Sequence, residues 1–130
     1  MSLSILVVED HDLSRVLVTD ILEEAGHVVY AATSARSLRQ LVKALPRIDL
    51  VLLDLQLPDG SGRELFAELG AGPLAAVPVV ALTAYTLPEE AARLLAAGFR
   101  AVLTKPIDTH TFVAVLEQLV AAGPRSVTPP

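Results

Sequence analysis

The sequence predicts an α/β domain, a parallel five-stranded sheet with helices on both faces, and three observations carry that prediction. Five short apolar runs alternate with stretches of helical period along the chain. The middle run, Leu50 to Leu53, is apolar at every position, as a strand buried on both faces must be. Four of the runs end on polar residues: Glu9-Asp10, Asp54, Thr83 and Lys105. In an open α/β sheet the carboxyl edge is where ligands bind.

Each element has its own justification. Ile5 to Val8 is the first strand, and Asp12 or Ser14 can cap the helix after it. Leu13, Val16, Leu17, Ile21 and Ala25 give that helix its period, with Asp20 as an acidic interruption, and Gly26 stops it. Val28 to Ala32 is the second strand. Leu38, Leu41, Val42 and Leu45 mark a second helix that Pro46 cannot continue. His11 and His27 read as loop residues without a role.

The third strand runs from Leu50 into Asp54, and Pro58, Asp59, Gly60 and Gly62 turn the chain after it. Glu64 to Leu69 is a short third helix with Leu65, Phe66 and Leu69 inward. Gly70, Gly72 and Pro73 break it. Val79 to Leu82 is the fourth strand, ending at Thr83. Pro88-Glu89-Glu90 opens a fourth helix, with proline early and acids in the first turn. Leu94 and Leu95 are its larger apolar side chains, and Gly98 ends it. Ala101 to Leu103 is the fifth strand, reaching Lys105-Pro106. Phe112, Val115, Leu116, Leu119 and Val120 form the clearest helical stripe. Residues 1–122 read as one domain, and GPRSVTPP over 123–130 as a loose tail or linker.

Composition narrows the function. A chain of 130 residues makes one domain with a proper core. It is 52% apolar with only 4% aromatics, so the core is built from Leu, Val and Ala. A net charge of -5 argues against direct nucleic-acid binding, which needs clustered Lys and Arg. There is no cysteine, hence no disulfide framework or thiolate metal site. No apolar run approaches the roughly 20 residues of a membrane span, and the run at Ile5 to Val8 is stopped by acids before it resembles a signal peptide. A cytoplasmic domain is the default expectation.

Taken singly, the polar strand ends have ordinary explanations. Asp54 reads as a turn-capping aspartate, Glu9-Asp10 as acids near a positive helix end, Lys105 as an exposed strand-end lysine and Thr83 as a β-former. Their joint occurrence in one strand order is what makes those explanations improbable. Three carboxylates at one sheet edge need a cation. At about 5 Å and an effective dielectric near 20, each like-charged pair costs on the order of 3 kcal/mol. Oxygen ligands without His or Cys select a hard ion, with Mg²⁺ the expected one.

The motifs VVED, LLDLQLPDGSG, ALTA and LTKPI together resemble the receiver domain of bacterial two-component response regulators. The resemblance covers Ile5 to about Val120 and implies a flavodoxin-like (βα)5 three-layer sandwich of strand order 2-1-3-4-5. It implies that Asp54 is the phosphoacceptor, taking a phosphoryl group from a phosphohistidine donor. Asp10 and Asp54 would bind Mg²⁺ directly with the Gln56 backbone carbonyl, and Glu9 would hold the metal's waters. Thr83 would hydrogen-bond the phosphoryl group and Lys105 would neutralise it, while Gln56 and Tyr85 would tune hydrolysis. Ala84 is small, as access to Asp54 requires. The family also sets a cis peptide at Lys105-Pro106. The implied partners are a sensor histidine kinase or a histidine phosphotransfer protein, and the implied homodimer face is the fourth helix, fifth strand and fifth helix. VVEDHDLSR and TKPIDTHTF are more similar to receivers attached to hybrid histidine kinases than to those of transcription factors.

One position departs from the family. The usual aromatic three residues before the lysine is Val102, so a modest change on activation, confined to Thr83–Pro88 and the start of the fourth helix, is expected. An enzyme of the haloacid dehalogenase type needs a second Asp two residues after the nucleophile, where this chain has Gln56. A flavodoxin needs a Ser/Thr-rich loop after the first strand, which is missing. The remaining alternative is a phosphate-independent adaptor with the same fold.

Overall fold

The computed structural model describes residues 2–84 and 87–122. Its strands are β1 (Ser4–Val8), β2 (Val28–Ala32), β3 (Leu50–Asp54), β4 (Val79–Thr83) and β5 (Ala101–Thr104). Its helices are α1 (Asp12–Glu24), α2 (Ala35–Val42), α3 (Gly62–Gly70), α4 (Pro88–Ala97) and α5 (Phe112–Ala121). All four strand pairings are parallel, in the order β2-β1-β3-β4-β5. This is the expected flavodoxin-like order. A two-residue ladder, Gln56–Leu57 against Gly60–Ser61, forms a small antiparallel hairpin between β3 and α3. None of the described helices is long and apolar enough to cross a membrane.

The period of the strands sorts the core into two layers, because successive side chains point to opposite faces. Ile5, Val7, Leu50, Leu52, Val80 and Leu82 pack with Val18 and Leu22 of α1 and with Phe112 and Leu116 of α5. Leu6, Val8, Val51, Leu53, Val79 and Ala81 pack with Leu38 of α2, Leu65 and Leu69 of α3, and Leu94 of α4. β3, at the centre, is buried at all five positions. In the second layer Phe66 stacks on Phe99 with ring centroids 4.0 Å apart. Gly98 makes room for that stack: its φ is +119°, and a Cβ there would sit 3.1 Å from Phe66 Cζ.

Several local expectations need correction. α1 is capped by His11, whose Nδ1 accepts from Ser14 N–H at 3.3 Å, and not by Asp12 or Ser14. Asp12 instead pairs with Arg15 at 2.7 Å. The apolar period of α1 is split: Val18 and Leu22 face the core, while Leu13, Val16 and Leu17 are exposed. His27 does lie in the connection between α1 and β2, as expected, but it has a structural role there. Its side chain is 1% exposed, Nδ1 accepts the Leu3 N–H at 3.0 Å, and Nε2 lies 2.8 Å from Glu117 Oε2 of α5. α2 closes at Val42, before Leu45, because continuing would drive the Pro46 ring into the Val42 carbonyl. α3 begins at Gly62 and not at Glu64, since Ser61 and Glu64 form a capping box. Leu95 of α4 points outward, and Leu94 alone of that pair is buried. The 123–130 segment and Tyr85 lie outside the described residues.

Candidate functional site

The apolar strands deliver their terminal polar residues to one edge of the sheet. Asp54 is the last residue of β3 and only 4% exposed, held in register with Leu82 of β4. Glu9 follows β1, is 0% exposed, and is fixed there by its N–H donating to Ala32 O at 3.0 Å. Lys105 follows β5, where its N–H donates to Thr83 O at 2.7 Å, and its bond to Pro106 is cis, as expected. Asp10 is exposed at the rim. An open cavity of about 530 Å³ is lined by Glu9, Asp10, Asp54, Gln56, Ala84 and Lys105, with His11 and Ser14 beside them.

The polar geometry centres on Lys105. Its Nζ lies 3.1 Å from Asp54 Oδ2 and forms a second ion pair with Glu9 Oε1. Asp54 Oδ1 accepts the Gln56 backbone N–H at 2.9 Å, and Glu9 Oε2 accepts the His11 N–H at 3.1 Å. Glu9 Oε1 is buried, and its partner is the Lys105 ammonium. Arg15 Nη1 donates to the backbone carbonyls of Glu9 at 3.2 Å and Asp10 at 3.4 Å, steadying the acidic turn. Burial pushes the Asp54 carboxyl above its ordinary value, with Glu9 adding to the rise and the Gln56 N–H and Lys105 opposing it. For Lys105, burial alone would lower the ammonium, but Glu9 and Asp54 outweigh it and the net shift is upward.

One carboxylate oxygen from each of Glu9, Asp10 and Asp54 can be drawn so that all lie within 4.8 Å of one another. These three acids against one ammonium leave an uncompensated excess of negative charge. The donor set is oxygen only, with no His or Cys among the three residues. The residues therefore fit a hard divalent cation.

Thr83 meets this group through its carbonyl, which accepts the Lys105 N–H at 2.7 Å. It is buried at the end of β4, in register with Thr104, but does not line the cavity. Strand parity explains why: Thr83 continues the Val79–Ala81 face toward α2, α3 and α4. Glu9, Asp54 and Lys105 continue the opposite face, that of α1 and α5. Sequence reasoning missed His11 and Arg15 as supports of the acidic turn. It also missed Asp59, whose Oδ1 accepts the Ala35 N–H at 2.8 Å and Oδ2 the Arg36 N–H at 3.0 Å. Histidine is not among the residues that ordinarily mark an N-cap, and the reach of Asp59 across 24 residues of chain to Ala35 leaves no local signal either.

Such an acid-and-lysine edge on an open sheet of order 2-1-3-4-5 defines a CheY-like α/β domain. The chain belongs to the response regulator receiver domain family of two-component signalling, whose model matches residues 5–117. It is 30% identical over 118 residues to the polar-differentiation response regulator DivK of Brucella anthropi, covering 90% of this chain and 95% of that one. A CheY-like receiver domain from Methanospirillum hungatei superposes with a TM-score of 0.83 at 24% identity, over 94% of this chain and 96% of that one. The receiver domain of a histidine kinase from Syntrophus aciditrophicus is 27% identical with a TM-score of 0.80, over 98% and 97% of the two chains.

Proposed function

We propose that this receiver domain takes a phosphoryl group onto Asp54 from a phosphohistidine donor and passes on or reads out that state. The observation that carries the reading is the Asp54 carboxylate itself, buried at a strand end yet open to a cavity, with one oxygen on the Gln56 N–H and the other on Lys105. An Asp54 oxygen attacks phosphorus in line. As the O–P bond forms, the N–P bond breaks, and the imidazole leaves with the electron pair and takes up a proton. Lys105 stays protonated and meets the negative charge that builds on the phosphoryl oxygens. Thr83 hydrogen-bonds a phosphoryl oxygen from the other side of the sheet. Glu9, Asp10 and Asp54, with the Gln56 carbonyl, would hold Mg²⁺, which supplies charge neutralisation to the transferring group.

The donor is a sensor histidine kinase or a histidine phosphotransfer protein. Leu13, Val16 and Leu17 of α1 support a docking face beside the cavity, since they are 77%, 53% and 44% exposed and Ser14 between them lines it. On α4, β5 and α5, the expected homodimer face, the large exposed apolar side chains among the described residues are Leu95 and, at the α4 N-cap, Leu87. α1 is thus the more apolar of the two faces.

Acetyl phosphate with Mg²⁺ tests the reading. The wild type should gain one acid-labile phosphoryl group, and Asp54→Asn should gain none while keeping its circular dichroism spectrum. Equal labelling of the variant sinks the assignment.

A further inference from the structure

We infer that the hairpin of residues 56–61 is a coupling arm, carrying the state of the Asp54 carboxylate to the N-terminus of helix α2. This rests on Asp54 being the phosphoacceptor, and goes beyond it by naming where the signal leaves.

The arm starts at the carboxylate. Asp54 Oδ1 accepts the Gln56 N–H at 2.9 Å. Phosphorylation turns the carboxylate into a mixed anhydride whose remaining carbonyl oxygen carries no formal charge and is a weaker acceptor, so that hydrogen bond must weaken or move to a phosphoryl oxygen. Gln56 is paired with Ser61, and Leu57 with Gly60, so a displacement at Gln56 is handed directly to the returning strand. The base of the arm is closed: Gly62 N–H donates to Leu55 O at 3.1 Å, and a Cβ on Gly62 would lie 2.6 Å from Leu55 Cα. That leaves little slack between β3 and the hairpin.

The far end of the arm is anchored on α2. Asp59 at the hairpin tip holds the Ala35 and Arg36 N–H groups, two of the donors a helix N-terminus leaves unsatisfied. Those same bonds hold the Asp59 carboxyl below its ordinary value. Gly60 sits so close to α2 that a Cβ there would be 3.4 Å from Ala35 Cβ, and Leu57 packs against the cluster that contains Ala35 and Leu38. α2 is tied onward to α3 by the bidentate Arg39–Glu68 pair, at 2.8 and 2.7 Å. On the other route, β5 offers Val102, a half-buried side chain with one torsion and little reach.

Amide spectra with and without beryllofluoride and Mg²⁺ test the arm. In the wild type, Gln56, Asp59, Ala35 and Arg36 should shift together. In Asp59→Ala the shifts at Ala35 and Arg36 should be lost while that at Gln56 persists. If Asp59→Ala does not fold, Asp59→Asn retains one accepting oxygen and should show smaller shifts at Ala35 and Arg36 than the wild type. Shifts at Gln56 without any at Ala35 and Arg36, or undiminished shifts in the variant, overturn the arm and leave Asp54 as phosphoacceptor intact. No shift at Gln56, Thr83 or Lys105 overturns the phosphoacceptor reading, and the arm with it.

Discussion

The Lys105 ammonium lies 3.1 Å from Asp54 Oδ2, and the fully buried Glu9 shares it. One cation thus serves two acids that water scarcely reaches.

Lys105→Met is therefore expected to act on both stability and chemistry. Without a divalent ion it leaves buried acceptors unpaired, at a cost of about 1–3 kcal/mol. With acetyl phosphate and saturating Mg²⁺ the labelling rate should fall on the order of 100-fold. Denaturant midpoints and single-turnover labelling measure the two effects; a rate within twofold of wild type would remove Lys105 from the mechanism.

Asp54 and Asp59 should give opposite pH signatures. Asp54 is raised in the folded state, so its ionisation opposes folding, and that penalty is relieved as pH falls through the raised value toward 3.8. Asp54→Asn should then melt higher than the wild type at pH 7 without Mg²⁺, the gap closing as pH falls. Asp59 is lowered, so its contribution is complete above 3.8 and is lost as pH falls through its folded value. Asp59→Asn should melt lower than the wild type at pH 7, and this gap also closes in acid. Melting curves from pH 7 to pH 3 check both signs.

The crowded acids predict a thermal response to Mg²⁺, since an ion held by the folded cluster and not by the unfolded chain stabilises the fold. At a hundredfold excess over its dissociation constant the gain is about 2.7 kcal/mol. Asp10→Ala should abolish the response. A wild-type melting temperature indifferent to millimolar Mg²⁺ at low ionic strength contradicts the site.

Gly62→Ala should cost about 1–3 kcal/mol, because the new methyl meets Leu55 Cα at 2.6 Å and Asp54 O at 2.8 Å, backbone atoms that cannot rotate away. Chemical denaturation measures it. A neutral outcome would show that the base of the hairpin yields more readily than its contacts imply.

Much of this was legible in the sequence because it rests on short-range patterns. β3 was readable to the residue from its unbroken apolar run, and the sheet order followed with the resemblance. α1 was harder. Its apolar residues form two stripes, and period alone cannot say that Val18 and Leu22 go inward while Leu13, Val16 and Leu17 stay out. His27 was illegible because its partners, the Leu3 N–H and Glu117, lie 24 and 90 residues away. The acids and Lys105 were found as strand ends, yet nothing in a strand end announces that one lysine serves two of them. That Thr83 lies on the other face was implicit in the alternation along β4.

The sheet behaves as a partition wall. Among the described residues its two clusters share no buried side chain, so the packing of each layer can change without consulting the other. Leu22→Ala in the α1 layer and Leu65→Ala in the α3 layer should add within about 0.3–0.5 kcal/mol. At the carboxyl edge the wall ends, and there the Thr83 carbonyl accepts the Lys105 N–H. A sequence drifting over generations can therefore redesign its α1–α5 face and its α2–α3 face separately, provided that the doorway at this edge is left standing.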